Sequence, residues 1–392
     1  MNWSCLVIDN LDITSGEDWK KNIDQVPEPI RIQSLNAKDS TITISHQNIG
    51  VLVCFLKELD SDNLAAISQF YEVYGCDEKT TMIVFDNPKD TDYATLFDFG
   101  IEKIFSLSEY SDHLIYLLSS RANELKRADS DQSLLFSLRV CLRTGMRSQC
   151  LKHIEKIGDE YKYNKNALLT KSIAFLELGL INQANDILKS IIDIDPLYRP
   201  AQIAIARTLV VGRKHEEAGQ ACTLLLQTNP YNPTLQLLAA AAFMGIDDKS
   251  RFEAELKYIR EKHASSLWSV KAELLQAMYS NDLEGIEKIH DYIYSPMDIY
   301  ITTKLNEIGA SLSQEGDNKN ALKWYTAAEC FFSPLQKYKV SLNAAIAARR
   351  NKDYSYALKQ VEKSQVQYGS NLTKINEIKK QIHEQIDTSK IT

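Results

Sequence analysis

The sequence predicts two architectures in one chain: an α/β doubly wound domain over residues 1–125, then an all-α solenoid of helix pairs over 130–370, closed by a capping helix and tail over 371–392. Three observations lead there. Up to about residue 120, short β-branched runs alternate with amphipathic segments, the pattern of a parallel sheet flanked by helices. From about 130 the strand signal stops and the apolar period becomes helical. Within that second region, small and large apolar residues recur with a period of about 34 residues.

The elements of the first region follow in order. Cys5 to Ile8 reads as a strand, Glu17 to Gln25 as a helix and Ile30 to Ile32 as a second strand. Val51 to Phe55 is apolar throughout, as expected of a strand covered on both faces. Asn63 to Tyr74 is helical, and Met82 to Phe85 is another buried strand. Tyr93 to Phe99 makes a short helix stopped by Gly100; Ile104-Phe105 gives a fifth strand, and Asp112 to Lys126 a last helix. Residues 33–48 fit least well, being rich in β-branched residues where a helix is due.

The second region is organised by its repeat. Leu178-Gly179, Ala184, Leu188, Ile191 and Pro196 have the spacing of one helix–turn–helix unit. Leu209, Ala218, Cys222, Leu225 and Pro230 repeat it one period later, and Leu138, Gly145, Cys150, Ile154 and Ile157 one period earlier. Small residues belong where paired helices nearly touch; large ones fill the gap between successive pairs. Gly309, Leu312, Gly316, Ala321, Tyr325, Ala328 and Pro334 form a further unit, and Ala345, Ala348, Tyr354, Ala357 and Val361 another. Residues 233–264 and 266–298 have the length of a unit but weak small-residue positions. Seven units are expected, then a polar helix from Asn371 to Ile386 over the last apolar face. This array resembles the tetratricopeptide repeat (TPR), which implies a concave groove lined by the first helix of each pair.

Composition narrows the function. Asp plus Glu outnumber Lys plus Arg by 52 to 45, for a net charge of −7, which argues against a general nucleic-acid or anionic-membrane binder. The cysteines (5, 54, 76, 141, 150, 222 and 330) include no CxxC pair, and the histidines (46, 113, 153, 215, 263, 290 and 383) no metal spacing. No apolar stretch reaches the length of a membrane span, and the first ten residues lack a signal peptide's basic start. The expectation is a cytoplasmic protein without cofactors or membrane insertion.

The first domain resembles the (CheY-like) receiver domain of two-component response regulators in element order and spacing. Val7-Ile8-Asp9-Asn10 stands where that family ends its first strand in an acidic pair, and Val51 to Phe55 where the third strand leads to the phosphorylated aspartate. Met82 to Asp86 replaces the fourth strand with its terminal hydroxyl residue, and Phe99 to Ser108 fits the run that normally finishes in Lys-Pro. The chemistry does not carry over. Phe55, or Cys54 or Leu56 after a one-residue slip, occupies the acceptor position; Asn10 removes a carboxylate, Asp86 replaces a hydroxyl, and Leu107 or Ser108 replaces the lysine. Asp9 and Asp86 remain as weak metal-ligand candidates, against the plainer reading of solvated carboxylates at strand ends. Phosphoryl transfer depends on positioning and charge stabilisation, so these changes together remove the site. No Gly-rich phosphate loop or GxSxG elbow occurs elsewhere, and no catalytic residue is assigned.

A non-enzymatic adaptor in bacterial signalling is therefore expected: a pseudo-receiver joined to a TPR scaffold. The expected partner is a sensor kinase, another receiver domain or an acidic peptide segment. The alternatives are a TPR scaffold for a motility, secretion or polar complex, and a phospho-accepting response regulator. Partner-binding candidates on the first helices are Arg139, Arg143, Leu169, Ile173, Ile203 and Arg207, since arginine on apolar ground suits an acidic, partly apolar segment; the plainer reading is that these arginines only solvate helix faces. The family's clamp for a chaperone's C-terminal carboxylate needs Lys and Asn where this chain has Leu135, Arg139, Thr170, Pro200 and Ala204, so that mode is not expected.

Overall fold

The computed structural model describes residues 3–9, 30–35, 49–57, 59, 63, 67, 81–86, 89–98, 101, 103–126, 131–263, 267–290, 297–368 and 373–391. Five strands, β1 (Trp3–Asp9), β2 (Ile30–Leu35), β3 (Ile49–Leu56), β4 (Thr81–Phe85) and β5 (Ile104–Ser106), form one sheet in the order β2-β1-β3-β4-β5. Every pairing is parallel. The chain therefore winds one way from β1 to β2 and the other way from β3 to β5, the order of a doubly wound sheet. Residues 51–56 and 81–85 are fully buried because both faces are covered. Val51, Val53, Phe55, Met82 and Val84 pack on Tyr110, Leu114, Leu117 and Leu118. Those four belong to a helix at Tyr110–Lys126; the other face, with Leu52, Cys54, Ile83 and Phe85, meets Leu96 of a helix at Asp90–Asp98. These two helices, α1 (Asp90–Asp98) and α2 (Tyr110–Lys126), begin two or three residues earlier than the sequence pattern indicates. The helix expected at 17–25, most of that at 63–74, the stop at Gly100 and the ambiguous stretch 36–48 lie outside the described residues.

From residue 131 the described residues form helix pairs: α3 (Asp131–Thr144) with α4 (Arg147–Lys156), α5 (Lys165–Glu177) with α6 (Ile181–Ile194), and α7 (Arg199–Val211) with α8 (His215–Thr228). Then come α9 (Pro233–Gly245) with α10 (Lys249–Lys262), α11 (Leu267–Tyr279) with α12 (Leu283–His290), α13 (Ile299–Gln314) with α14 (Asn318–Ala328), and α15 (Lys337–Arg350) with α16 (Tyr354–Tyr368). A last helix, α17 (Thr373–Ile391), places Ile375, Ile378 and Ile382 on Leu342, Ala345 and Ala357. It runs past the expected end at Ile386.

One backbone device marks each pair. Gly145, Gly179, Arg213, Asp247, Asn281, Gly316 and Lys352 all have positive φ, and the first five are evenly spaced, one repeat period apart. After each, the next residue donates its N–H to the carbonyl five residues back, at 2.8–2.9 Å (Met146 to Cys141, Leu180 to Phe175, Lys214 to Leu209, and so on to Asp353 to Ala348). This left-handed cap closes the first helix and reverses the chain into the second. The period thus persists through 233–290, where the side-chain pattern fades. Ala184, Ala218, Ala321 and Ala357 are fully buried, as expected of the close-approach position.

The array does not stay open. Leu335, in the loop between α14 and α15, joins the core of α3 to α5 with Leu135, Leu138 and Cys150. Helix α7 lies against α13 and also against α1 of the α/β domain. Every residue of α9 from Leu235 to Met244 is buried, so this helix is enclosed on all sides. A single apolar core runs from the α1 side of the sheet into the middle of the array.

Candidate functional site

Two places are indicated by the sequence: the carboxyl edge of the sheet and the first-helix face of the array. At the sheet edge, β1 and β3 are in register with Asp9 opposite Phe55. Phe55 does not open at that edge. It is fully buried, its ring edge-on to Tyr110 with centroids 5.1 Å apart, and Cys54 and Leu56 are equally buried on either side. The first residue past β3 is Lys57, which is exposed. The side chain at the mouth of β3 is therefore a lysine, two residues beyond the buried Phe55 ring. Past β4, Asp86 is exposed, and its N–H donates to the Leu56 carbonyl at 3.1 Å. Past β5, the Leu107 N–H donates to the Phe85 carbonyl at 3.1 Å, and the Ser106 hydroxyl lies 2.8 Å from that of Ser108 and donates to Glu109 at 3.0 Å. The side chain of Asp9 is outside the described atoms, so its pairing with Asp86 is not placed.

On the array, the six candidates are not one exposed row. Arg139 donates from Nη2 to the Thr170 hydroxyl at 2.6 Å, tying α3 to α5. Leu169 and Ile203 are buried, and Ile173 is partly buried. Leu169 packs with Leu188, Ile191 and Ala204 between units. The side chain of Arg143 is outside the described atoms. Arg207 is half-buried and acts electrostatically on Glu177 and Asp298. Arg139 and Leu169 are taken up by the neighbouring unit, as in any stack of pairs, whereas Arg207 is enclosed because the array curves until α7 meets α13.

That meeting point gathers charges that the repeat pattern does not mark. Lys271 of α11 and Asp298, just before α13, form an ion pair of 2.7 Å with side chains only 9% and 11% exposed. Burial pushes Asp298 up, but Lys271 and Arg207 outweigh it and hold its carboxyl below the ordinary range. Glu177, at the end of α5, is pushed up to about 7 by burial, with Asp298 adding to the rise and Arg207, the Ser333 hydroxyl and Lys339 opposing it. The Ser333 hydroxyl donates to Glu177 at 3.4 Å, and the Gln336 side-chain amide donates to the Glu177 carbonyl. Farther along, Arg213 pairs with Glu307 at 2.7 Å, and Lys304 lies 3.5 Å from the same carboxylate. A charged residue inside an apolar run, such as Lys271 in Leu267–Met278, is the signal the sequence offers.

The outer edge shows a different regularity. Tyr163, Leu197 and Tyr231 are 74%, 81% and 47% exposed and stand one repeat period apart, in the loops that join successive pairs. On the α/β domain, Phe97 and Tyr116 are also exposed, with Lys103 over the Tyr116 ring at 5.4 Å.

No family model matches the chain, and no curated protein matches it. Among solved structures, it aligns with the crystal structure of the APC/C hetero-tetramer Cut9-Hcn1 at a TM-score of 0.41 and 12% identity. The alignment takes in 69% of this chain and 52% of that one, so the chain spans about half the length of its structural neighbour. No helix among the described residues is long and apolar enough to cross a membrane.

Proposed function

We propose that the chain is a non-enzymatic adaptor in bacterial signalling, a receiver-like α/β module carried on a TPR-type scaffold, which binds protein partners without phosphoryl transfer. The observation that supports this most is the complete burial of Cys54, Phe55 and Leu56, where the resemblance to the receiver family places its acceptor carboxylate, with an exposed lysine, Lys57, just beyond. Neither a buried apolar side chain nor a lysine can form an acyl phosphate or supply a carboxylate to a divalent ion beside Asp86. The sheet order β2-β1-β3-β4-β5 is the order that family uses, and the helix pairs keep the period of the TPR. What remains is binding, to a sensor kinase, a second receiver or an acidic segment.

A second reading has its own support. Because α1 lies against α7 of the third pair and the core is continuous, the α/β domain is then a structural part of the array, and a larger assembly would form on the array alone.

Incubating the full chain with acetyl phosphate and weighing it intact tests the phosphoryl part: no added phosphate is expected, and a stable aspartyl phosphate overturns it. The two docking readings separate with Tyr116→Asp and Leu197→Asp, both at exposed positions. Loss of a purified kinase or receiver with the first substitution alone supports the module. Loss of an assembly partner with the second alone supports the array.

A further inference from the structure

A short turn from the far end of the array finishes a helix at its near end. The last carbonyls of α5 need donors from outside the helix. Leu180 and Gly179 supply those of Phe175 and Leu176 at 2.8 and 2.9 Å, and Arg147 of α4 supplies that of Leu178 at 3.2 Å. The carbonyl of Glu177 takes its hydrogen bond from the side-chain amide of Gln336, 159 positions away. The residues before Gln336 lie on the same surface. Leu335 enters a core whose other members all fall within 134–180. Pro334 stands so close to Gly145 that a Cβ there would lie 2.7 Å from it, and the Ser333 hydroxyl donates to the Glu177 carboxylate at 3.4 Å. The cap glycine of the sixth pair, Gly316, has nothing within 4 Å of its missing Cβ. A cap turn therefore needs no neighbour there, and at 145 the space is taken by the segment.

The segment is also built like a bound peptide. Ser333 to Gln336 is a turn closed by the Gln336 N–H on the Ser333 carbonyl at 2.8 Å, with proline at its second position. Phe331 and Phe332, immediately before it, belong to the central core with Trp324 and Tyr325. The flank is thus anchored in its own unit, while the turn is held by the first two pairs. Two separate apolar clusters hold the two halves of this loop.

We propose that the surface made by the Gly145 turn, the core around Leu138 and Leu178, and the Glu177 carbonyl is a docking site for a proline turn of the type Ser-Pro-Leu-Gln. The chain fills it with its own segment until a partner protein carrying such a turn displaces that segment. Three contacts set the chemistry of the partner: a proline laid on a turn that lacks a Cβ, an aliphatic side chain in the core of α3 to α5, and an amide donor for the end of α5. The tethered segment meets its site at an effective concentration of about a millimolar, which an incoming turn has to overcome. This inference rests on the reading of the array as a scaffold for protein partners, and adds where one binds and by what chemistry.

A labelled synthetic peptide of residues 331–340 is the probe, and the full chain its target. By fluorescence anisotropy the native chain should bind it weakly, because its own copy is in place. Leu335→Asp puts a charge where the core admits none and frees the site, so this chain should bind the peptide at least about tenfold more tightly. A peptide carrying the same change should not bind. Gln336→Ala removes only the capping amide; it should show a smaller gain, and it carries the test if Leu335→Asp does not fold. Hydrogen exchange gives a second readout. Gly145→Ala and Gly179→Ala share a positive φ, 75° and 80°, but only the first pushes on Pro334, since Gly179 faces just the tip of Lys339 at 3.4 Å. Exchange at 333–340 should rise in Gly145→Ala and not in Gly179→Ala. No gain in peptide binding by the variants at 335 and 336, or equal exchange in the two glycine variants, overturns the proposal and leaves the adaptor reading to its own capture tests. A native dimer that Leu335→Asp converts to a monomer overturns it in favour of a second copy as the occupant.

Discussion

Gly309 of α13 meets the ring of Tyr325 in α14: a Cβ at 309 would stand 2.6 Å from it. The pair fixes how closely the two helices of that unit approach. In an isolated helix Gly→Ala would be favourable by about 1 kcal/mol. Here the methyl must displace a buried ring, and overpacking of this kind costs about 1–3 kcal/mol. Gly309→Ala should therefore lower the urea midpoint. Gly316→Ala is the useful comparison, since nothing lies within 4 Å of its missing Cβ and only its φ of 94° opposes a side chain. Its cost should be about 1–2 kcal/mol, from backbone strain alone.

Damage at different alanines should spread differently. Ala357 belongs to a separate cluster with Leu342, Ile375 and Ile378, so Ala357→Leu should raise hydrogen exchange in α15 to α17 alone. Ala218 belongs to the core that also holds Leu96 and Ile83 of the α/β domain. Ala218→Leu should then raise exchange in α7, α9 and α1 together. A strictly linear stack, as the repeat by itself implies, would confine the effect to neighbouring units. The closed array does not predict that confinement.

Replacing Asp298 removes the buried carboxylate that pairs with Lys271 at 2.7 Å. Breaking such a pair from one side costs about 3–5 kcal/mol, because the remaining cation stays buried. Asp298→Asn should show this loss at pH 7, and Lys271→Met with Asp298→Leu should lose much less. Because Lys271 and Arg207 depress the carboxyl below its ordinary 3.8, the stabilisation is complete above that value and is lost as pH falls through the folded value. Denaturation midpoints from pH 7 down to 2 would show the native chain and Asp298→Asn converging in acid.

The period, the buried strands and the close-approach alanines were legible because each depends on residues near in sequence. Val51 to Phe55 and Met82 to Phe85 read as doubly covered strands and are that. Units four and five were harder, since α9 is apolar on every side and its small residues cannot mark a single face. Their turns kept the period in the backbone instead, through Asp247 and Asn281, residues tolerant of positive φ. The charge cluster was not legible. Lys271 and Asp298 belong to neighbouring units, but Glu177 and Arg207 come from the second and third pairs, and only the curvature of the closed array brings them to that ion pair.

The same curvature changes what a charge reversal would report. On an open groove, Arg139→Glu with Arg207→Glu would abolish capture of an acidic partner and leave the melting temperature unchanged. In the closed array, a carboxylate at 207 would stand beside Glu177 and Asp298, where three acids share a buried space. Removing the cation and adding an anion should cost at least the roughly 3–5 kcal/mol of a broken buried pair. Arg207→Glu should therefore lower the melting temperature strongly, with Glu177 pushed still further up. Arg139→Ala loses its hydrogen bond to Thr170, at least about 1 kcal/mol, and Leu197→Asp, at an 81% exposed site, should cost almost nothing. Calorimetry on the three variants checks the ranking. An Arg207→Glu chain that melts with the native one would mean that the first-helix face is open after all.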